Sequence, residues 1–442
     1  MQITIKYYNI MKKTILTMAL VLQCAALFGQ TSLNTAVLNP ANNESVCGMV
    51  RSWTATKAIA YHNYEGTNLF SIIDSSSGTV YSAKVPESIT IRDFRIVGDT
   101  VYCGGSHNNS ALLGYFNIND ILGGGIIQMN TFIFNNFNVI TKLAAYRNVR
   151  EKGADVAAIG ERYVSAKPYS FIQYMMIEGK VYAGGMCSAS VRECEFTASL
   201  TANNEMLSDV VVTRKYVVFV GSISNSNYLC IRKGMKHDIF STPIIDTIHR
   251  FSHGLKDFGS SPVAEWIMFD TIAVAASYQD NAGATLVQVH IFDIVNMNIA
   301  DLHSMTHSNK GVVNEMVYMS RYRTLLLPTV SSNGHEIVYI RPHLPTNYSA
   351  QVVIPPNSES VCSMDYHNPV YYILSTSKHW ILQYINPSSG NSCITTSSKQ
   401  ILHNTVTIDI PKYHKKTPTS PTSRSFNMDP TDFARAINCV SF

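Results

Sequence analysis

The stretch GDTVYCGGS at residues 98 to 106 is nearly respelled as GKVYAGGM at 179 to 186, and looser versions of the phrase recur along most of the chain. Each starts at a polar or turn residue, runs through three to five apolar or β-branched residues, and ends on glycine or another small residue. The others are TKAIAYHN around Ala58, GADVAAIGE around Val156, KYVVFVGS around Val218, DTIAVAAS around Ile272, YRTLLLPT around Leu325 and NPVYYILS around Val370. Most lead through a polar loop into a second β-rich run, such as LLGYFNI, NYLCIRK, LVQVHIFDI, EIVYIRP or HWILQYI. Short runs of Val, Ile, Tyr and Phe bounded by Asn, Asp, Ser and Gly read as strands, so each unit is at least a hairpin.

Anchored on Ala58, Val101, Val156, Val218, Ile272, Leu325 and Val370, the units are spaced by roughly 43 to 62 residues, the period of a four-stranded blade. Val181, counted separately, adds an eighth and shorter unit. A hairpin repeat cannot bury both faces of its own sheet; stacked neighbours do so, and closing the stack into a circle removes the exposed end faces. Closure has its own sequence sign, because NNESVCGM at 42 to 49 returns as NSESVCSM at 357 to 364. These segments are expected to be the innermost strands of the first and last units. The ring is expected to close by pairing a strand around Thr35 to Leu38 with TVTIDI at 405 to 410.

The paired glycines, Gly104 with Gly105 and Gly184 with Gly185, follow an apolar strand in a way that resembles kelch-type repeats. Over roughly residues 34 to 410 the chain resembles secreted bacterial β-propeller proteins. The resemblance implies an all-β fold, a single propeller of seven or eight four-stranded blades; a pair of β-sandwiches is the competing architecture. The glycines read structurally, as positions where a β-carbon would block close packing of strands.

Outside the repeats, MKKTILTMALVLQCAALFGQTS from Met11 has two lysines and then an apolar run of signal-peptide length, too short to span a bilayer. The expected organisation is a signal peptide over 1–30, with Met11 as a better start than Met1, a propeller over 31–410, and a Pro/Ser/Thr-rich tail over 411–442. The tail ends in DPTDFARAINCVSF, a short capped helix by pattern. Cys24 in VLQC offers a lipoprotein alternative to simple export. The expected location is the periplasm, cell surface or exterior. Eight cysteines remain after Cys24, and only Cys187 and Cys194 lie close enough in sequence to suggest a bridge; the others read as buried thiols.

Charge narrows the function classes. Only 14% of residues are charged, against a usual share of about a quarter, and the net charge is +4 with no basic stripe beyond His414 to Lys416, which argues against nucleic acid. No metal or cofactor motif is present, so no cofactor, metal ligand or catalytic residue is assigned. His249 with His253 and His303 with His307 have chelating spacing only on a helix, and both pairs fall in polar connecting stretches. The repeated Asp-Thr at Asp99, Asp246 and Asp270 resembles an O-glycosylation acceptor, and reads more simply as a turn that starts a strand.

Glycoside cleavage needs two carboxylates across a cleft, and Asp93, Asp120, Glu161, Asp209, Glu265, Asp280 and Glu315 are candidates from which the sequence selects no pair. Trp53, Trp266 and Trp380, with Tyr61, Tyr64 and Tyr278, suit core packing more than stacking on a ligand. A ligand face is expected on the loops Ser106 to Ser110, Ser222 to Asn227, Tyr278 to Gly283 and Ser331 to His335. The resulting expectation is an exported, noncatalytic binding or interaction module, monomeric, with a protein or glycan ligand. A polysaccharide-acting hydrolase or lyase is the rival; its mark would be two carboxyl groups meeting in one pocket, one with a raised pKa.

Overall fold

A computed structural model describes residues 33–38, 48–54, 56–64, 66–74, 79–134, 137–148, 153–164, 167–177, 190–194, 205–223, 228–235, 245–250, 257–258, 261–279, 285–305, 315–320, 323–331, 334–340, 342, 348–350, 358–366, 370–376, 380–385, 406–408 and 423–425. Nearly all of them lie in strands or in the tight turns between strands. The exception is one short helix, α1 (Asn119–Gly123).

After β1 (Leu33–Leu38), the chain builds one antiparallel meander after another. The first contains β2 (Met49–Ser52), β3 (Lys57–Tyr64), β4 (Thr67–Asp74) and β5 (Thr79–Lys84). The second contains β6 (Ile89–Val97), β7 (Thr100–His107), β8 (Ser110–Asn117) and β9 (Asn130–Phe134), and the third β10 (Val139–Asn148), β11 (Gly153–Val164), β12 (Lys167–Ile177) and β13 (Ser190–Cys194). The fourth is β14 (Glu205–Val212), β15 (Tyr216–Ile223), β16 (Tyr228–Met235) and β17 (Ile245–Arg250).

In the fifth, β18 (Asp257–Phe258) and β19 (Val263–Met268) pair with successive stretches of β20 (Thr271–Gln279), which continues to β21 (Thr285–Asp293) and β22 (Asn298–Met305). The sixth has β23 (Val317–Met319), β24 (Thr324–Ser331), β25 (Gly334–Ile340) and β26 (Tyr348–Ala350). The last has β27 (Ser358–Tyr366), β28 (Val370–Thr376) and β29 (Trp380–Ile385), and then β1, with β30 (Val406–Ile408) outside it. A final strand, β31 (Ser423–Ser425), pairs with the edge of β5.

All seven anchors fall on second strands: Ala58 on β3, Val101 on β7, Val156 on β11, Val218 on β15, Ile272 on β20, Leu325 on β24 and Val370 on β28. The β-rich runs that follow them are third strands. The second spelling of the opening motif, around Val181, lies outside the described residues, between β12 and β13 of a single sheet.

First strands touch in sequence around an axis, β2 against β6, then β10, β14, β19, β23 and β27, and β27 returns to β2. The fold is an all-β propeller. Val50 donates its backbone N–H to Ser363 Oγ at 3.2 Å, so β2, which begins at the last residue of the first echo, adjoins β27, which carries the second; residues 42–47 of the first echo lie outside the described residues. The N-terminal strand also takes its expected partner: β1 pairs in parallel with β30, Ala36 opposite Val406, while its other edge pairs antiparallel with β29.

Apolar side chains on facing sheets fill the seams. Between the first and second sheets, Phe70, Phe94 and Phe116 are buried, with ring centroids 5.1 to 5.2 Å apart. Each such burial contributes about 1.5–3 kcal/mol. Strand alternation gives the first sheet a different opposite face, on which His62, Ser71 and Ser82 form a buried hydrogen-bonded chain with 2.8 Å links.

Gly104 and Gly105 on β7 answer the opening puzzle physically. A β-carbon at Gly104 would overlap Ile140 of the third sheet, and one at Gly105 would overlap the backbone carbonyl of Thr90 on β6. Cys103 and Cys230 are buried, while Cys187, the predicted terminal helix and the 1–30 leader lie outside the described residues. No helix among the described residues is long and apolar enough to cross a membrane.

Candidate functional site

The first strands enclose a cavity of about 460 Å³ on the ring axis. Charged side chains reach it from every sheet: Arg51 on β2, Arg95 on β6, Lys142 on β10, Asp209 on β14, Glu265 on β19, Glu315 just before β23, and Asp365 on β27. The order sorts the signs. Three successive sheets bring cations and the next four bring carboxyl groups.

β-Bulges set several of these directions. Register shifts fall between Ile91 and Asp93, Ile140 and Lys142, Leu207 and Asp209, and Val361 and Ser363. An extra residue at a bulge bends the strand and re-aims the side chains that follow it. Asp93 Oδ1 accepts from its neighbour Phe94 N at 2.9 Å, and its Oδ2 reaches the next first strand to accept from Leu143 N at 3.0 Å. Asp209 repeats the device, with Val210 N and Ala264 N both at 2.9 Å. Asp365 Oδ2 accepts from Ser52 N at 2.7 Å, and Glu265 accepts from Tyr318 N. Adjacent first strands are thus fastened by acids.

Arg51 is the densest node. Its Nη2 lies 2.9 Å from Asp93 Oδ1 and its Nη1 2.7 Å from Glu315 Oε1. Its Nε donates to Phe94 O at 3.0 Å, and the same Nη1 also lies 2.9 Å from Val50 O and from Ser363 Oγ. Burial works against its charge, yet Glu315, Asp93 and Asp365 together hold its pKa above the usual arginine value.

The acids divide. Burial opposes ionisation of Asp93 too, but Arg95, Arg51 and Lys142 and the Leu143 N–H carry its pKa below the usual carboxylate range. Burial dominates at Asp209 and raises its pKa in spite of Lys142 and two backbone donors. Glu265 is pushed up to about 8 by burial first, Arg95 opposing and Asp365 and Asp209 adding to the rise. By surface area Glu265 is only partly buried, because it faces the cavity; protein surrounds that cavity, so desolvation outweighs the nominal exposure.

Of the carboxylate candidates, Asp209, Glu265 and Glu315 line the cavity and Asp93 stands directly behind it. Asp120 is on α1 and Glu161 on β11, both away from it, and Asp280 lies outside the described residues. Sequence reading missed Arg51, Arg95, Lys142 and Asp365, although Asp365 directly follows the echoed VCSM and Arg51 comes two residues after VCGM.

The expected ligand loops join second to third strands, whereas the cavity lining extends to Val97 and Gly98 in the turn after β6. Strand direction places these at opposite ends of the ring. His249 and His303 stand in β17 and β22 rather than in connections, and His253 and His307 lie outside the described residues. No group of three or more metal-ligating side chains occurs among the described residues.

Asp99 and Asp270 occupy hairpin turns, as a turn reading requires, but Asp246 lies within β17. Tyr61 is buried and its hydroxyl accepts from Ile91 N at 3.3 Å. Trp266 instead lines the cavity, its ring 5.6 Å from that of Tyr146 and its Nε1–H donated to Phe269 O at 3.0 Å.

No family model and no curated protein matches the chain. Solved structures do. The chain is similar to the Cps50 (Swd1) β-propeller domain of Myceliophteria thermophila, with TM-score 0.51 and 11% identity over 79% of this chain and 98% of that one. It is also similar to Chaetomium thermophilum Raptor, with TM-score 0.49 and 9% identity over 81% of this chain and 30% of that one. A third is the polysaccharide lyase Uly1, with TM-score 0.48 and 8% identity over 81% and 97%. At such identity the likeness is one of fold, and the fold it shows is the β-propeller.

Proposed function

We propose that the chain is an exported, noncatalytic binding module, a seven-bladed propeller loosely of kelch type, which takes a small polar ligand into its axial cavity. The seven described sheets, each with an anchor on its second strand, support the blade count. The stretch from Met11 supports export, with anchoring through Cys24 as the variant form. The observation that carries the binding reading is the convergence of charged side chains from all the first strands on one cavity of about 460 Å³. Their carboxylate oxygens are largely engaged by backbone N–H groups, as at Asp209, where both are used. Such engagement makes a rigid recognition surface and leaves a poor nucleophile.

One observation favours the rival class: Glu265, with pKa about 8, keeps its proton near neutrality while Asp365 and Asp209 stand close by. A protonated acid beside other carboxyl groups is the arrangement that glycoside cleavage uses. A single experiment separates the readings. Neutral, acidic and basic small molecules and oligosaccharides are incubated with the full chain, Trp266 fluorescence is followed, and the mixtures are chromatographed. Saturable quenching without product supports the module; a shortened or unsaturated sugar product establishes the enzyme; silence of Trp266 throughout refutes the cavity as a ligand site.

A further inference from the structure

The axial charges answer one another. Arg51 lies 2.7 Å from Glu315 and 2.9 Å from Asp93 and acts electrostatically on Asp365. Arg95 acts on Glu265, Asp209 and Asp93, and Lys142 on Asp209 and Asp93. Backbone N–H groups engage both oxygens of Asp209 and one of Asp365. A compensated wall gives a charged ligand little to set against the loss of its hydration. A neutral ligand with many hydroxyl groups instead finds donors and acceptors side by side.

Two groups at this site do nothing for the fold. Ser52 lines the cavity, and its hydroxyl oxygen is enclosed without a hydrogen-bond partner, although its backbone N–H is donated to Asp365. Buried polar atoms are nearly always paired, so an orphan at a cavity wall marks a place for a ligand's polar group. Phe269 is the other. It stands in the turn between β19 and β20, 81% exposed and with φ of 49°, where the matching turn between β6 and β7 has Gly98 at φ 62°. A bulky residue in the left-handed region is strained, and an exposed phenyl group gains nothing from burial. The Phe269 carbonyl accepts from Trp266 Nε1 at 3.0 Å, and Trp266 meets Tyr146 at 5.6 Å. Both of those rings line the cavity, so Phe269 carries an aromatic strip outward from it, at the end of the ring where Gly98 also joins the lining.

We infer that the cavity takes the end of a neutral oligosaccharide, its terminal ring hydrogen-bonded to Ser52 Oγ and the axial charged groups and its following ring lying against Phe269; this rests on the reading of the cavity as a ligand site. A sugar is polar along its hydroxyl edge and apolar on its C–H faces, so it matches charged groups within the cavity and aromatic side chains at its rim. Each hydroxyl both donates and accepts, which suits a wall on which Arg95 and Lys142 stand among acids. The cavity, at about 460 Å³, is of ordinary size for a small-ligand pocket. Phe269 is not part of its lining, so its contact falls to the part of the chain that remains outside.

The test uses the full chain with neutral trisaccharides of glucose, mannose, galactose and xylose, their disaccharides and monosaccharides, and oligogalacturonate and chitosan trimers as charged counterparts, by calorimetry and Trp266 fluorescence. At least one neutral trisaccharide is expected to bind about tenfold or more tightly than its monosaccharide and than either charged trimer. Phe269→Gly should remove most of the gain from monosaccharide to trisaccharide, while the melting temperature stays the same or rises as strain is relieved. Ser52→Ala should weaken the monosaccharide and trisaccharide alike, by about fivefold or more, at an unchanged melting temperature, since no group of the described residues bonds that oxygen. Purely structural residues would behave in reverse, with a lower melting temperature and intact binding. If a charged trimer binds as well as the neutral ones, if only molecules other than sugars perturb Trp266, or if either variant leaves affinity unchanged, the inference is overturned while the cavity stands as a ligand site. If no molecule of any kind perturbs Trp266, both readings fall together.

Discussion

Arg51 shows at residue scale why the axis is stiff. It is almost wholly buried between Asp93 and Glu315, and removing one member of such a group leaves the others charged and unpaired in a desolvated space. Arg51→Ala is therefore expected to lower stability by about 3–5 kcal/mol in urea unfolding, whereas Glu87→Ala, which removes the exposed partner of Lys84, should cost about 1 kcal/mol or less. Glu265 acts in the other direction. Its folded pKa is about 8, above the ordinary 4.5, so across that window the folded chain keeps a proton that the unfolded chain has released. Stability from this group is complete below pH 4.5 and declines as pH rises toward 8. His62, held near 4 by burial, opposes it: stability from His62 is complete above about 6.5 and falls as pH drops toward 4. Chemical unfolding across pH should show a smaller decline toward pH 8 in Glu265→Gln than in wild type. An unchanged profile would show that Glu265 is not held protonated.

At the scale of elements, the sequence was most readable where a strand's contents dictate its surroundings. Second strands such as Val217–Val220 and Ile272–Ala276 are packed on both faces, so they read as continuous apolar runs, and all seven anchors landed on them. The glycine doublet on β7 was legible for the same reason, since its neighbours admit no side chain. First strands hid their role. Arg51, Arg95, Lys142, Asp209, Glu265, Glu315 and Asp365 share no residue type, and bulges shift their offsets, so only the closed ring brings them together. The doublet itself makes a comparative prediction. Gly104→Ala presses on the buried Ile140 side chain and should cost about 1–3 kcal/mol, while Gly105→Ala meets the Thr90 backbone carbonyl, which cannot move without breaking its strand, and should cost more. Thermal unfolding of the two variants checks the order, and equal losses would refute the assignment of the tighter contact to β6.

On the scale of the whole molecule, a ring must close where chain ends meet, and closure here joins segments more than 300 residues apart. Two devices work at that seam: Ser363 and Asp365 hold Val50 and Ser52 on the inside, and β1 completes the last sheet on the outside. The inner device ties first strands like any other neighbouring pair, so the outer one distinguishes this seam from the rest. β1 pairs with β29 at six positions, from Leu33 opposite Ile385 to Leu38 opposite Trp380, and with β30 at three. Each hydrogen bond in such a ladder contributes about 0.5–1.5 kcal/mol net. Deleting residues 31–38 leaves the edge of β29 unpaired and should lower the melting temperature by several degrees. Amide exchange should locate the damage, with Trp380–Ile385 losing protection and β11 and β15, on the far side of the ring, keeping theirs. A peptide spanning Leu33–Leu38 added in trans should restore protection to β29, because an open sheet edge is a template for one more strand. If exchange rises equally around the ring, closure does not depend on β1, and the inner fastening alone holds the last sheet to the first.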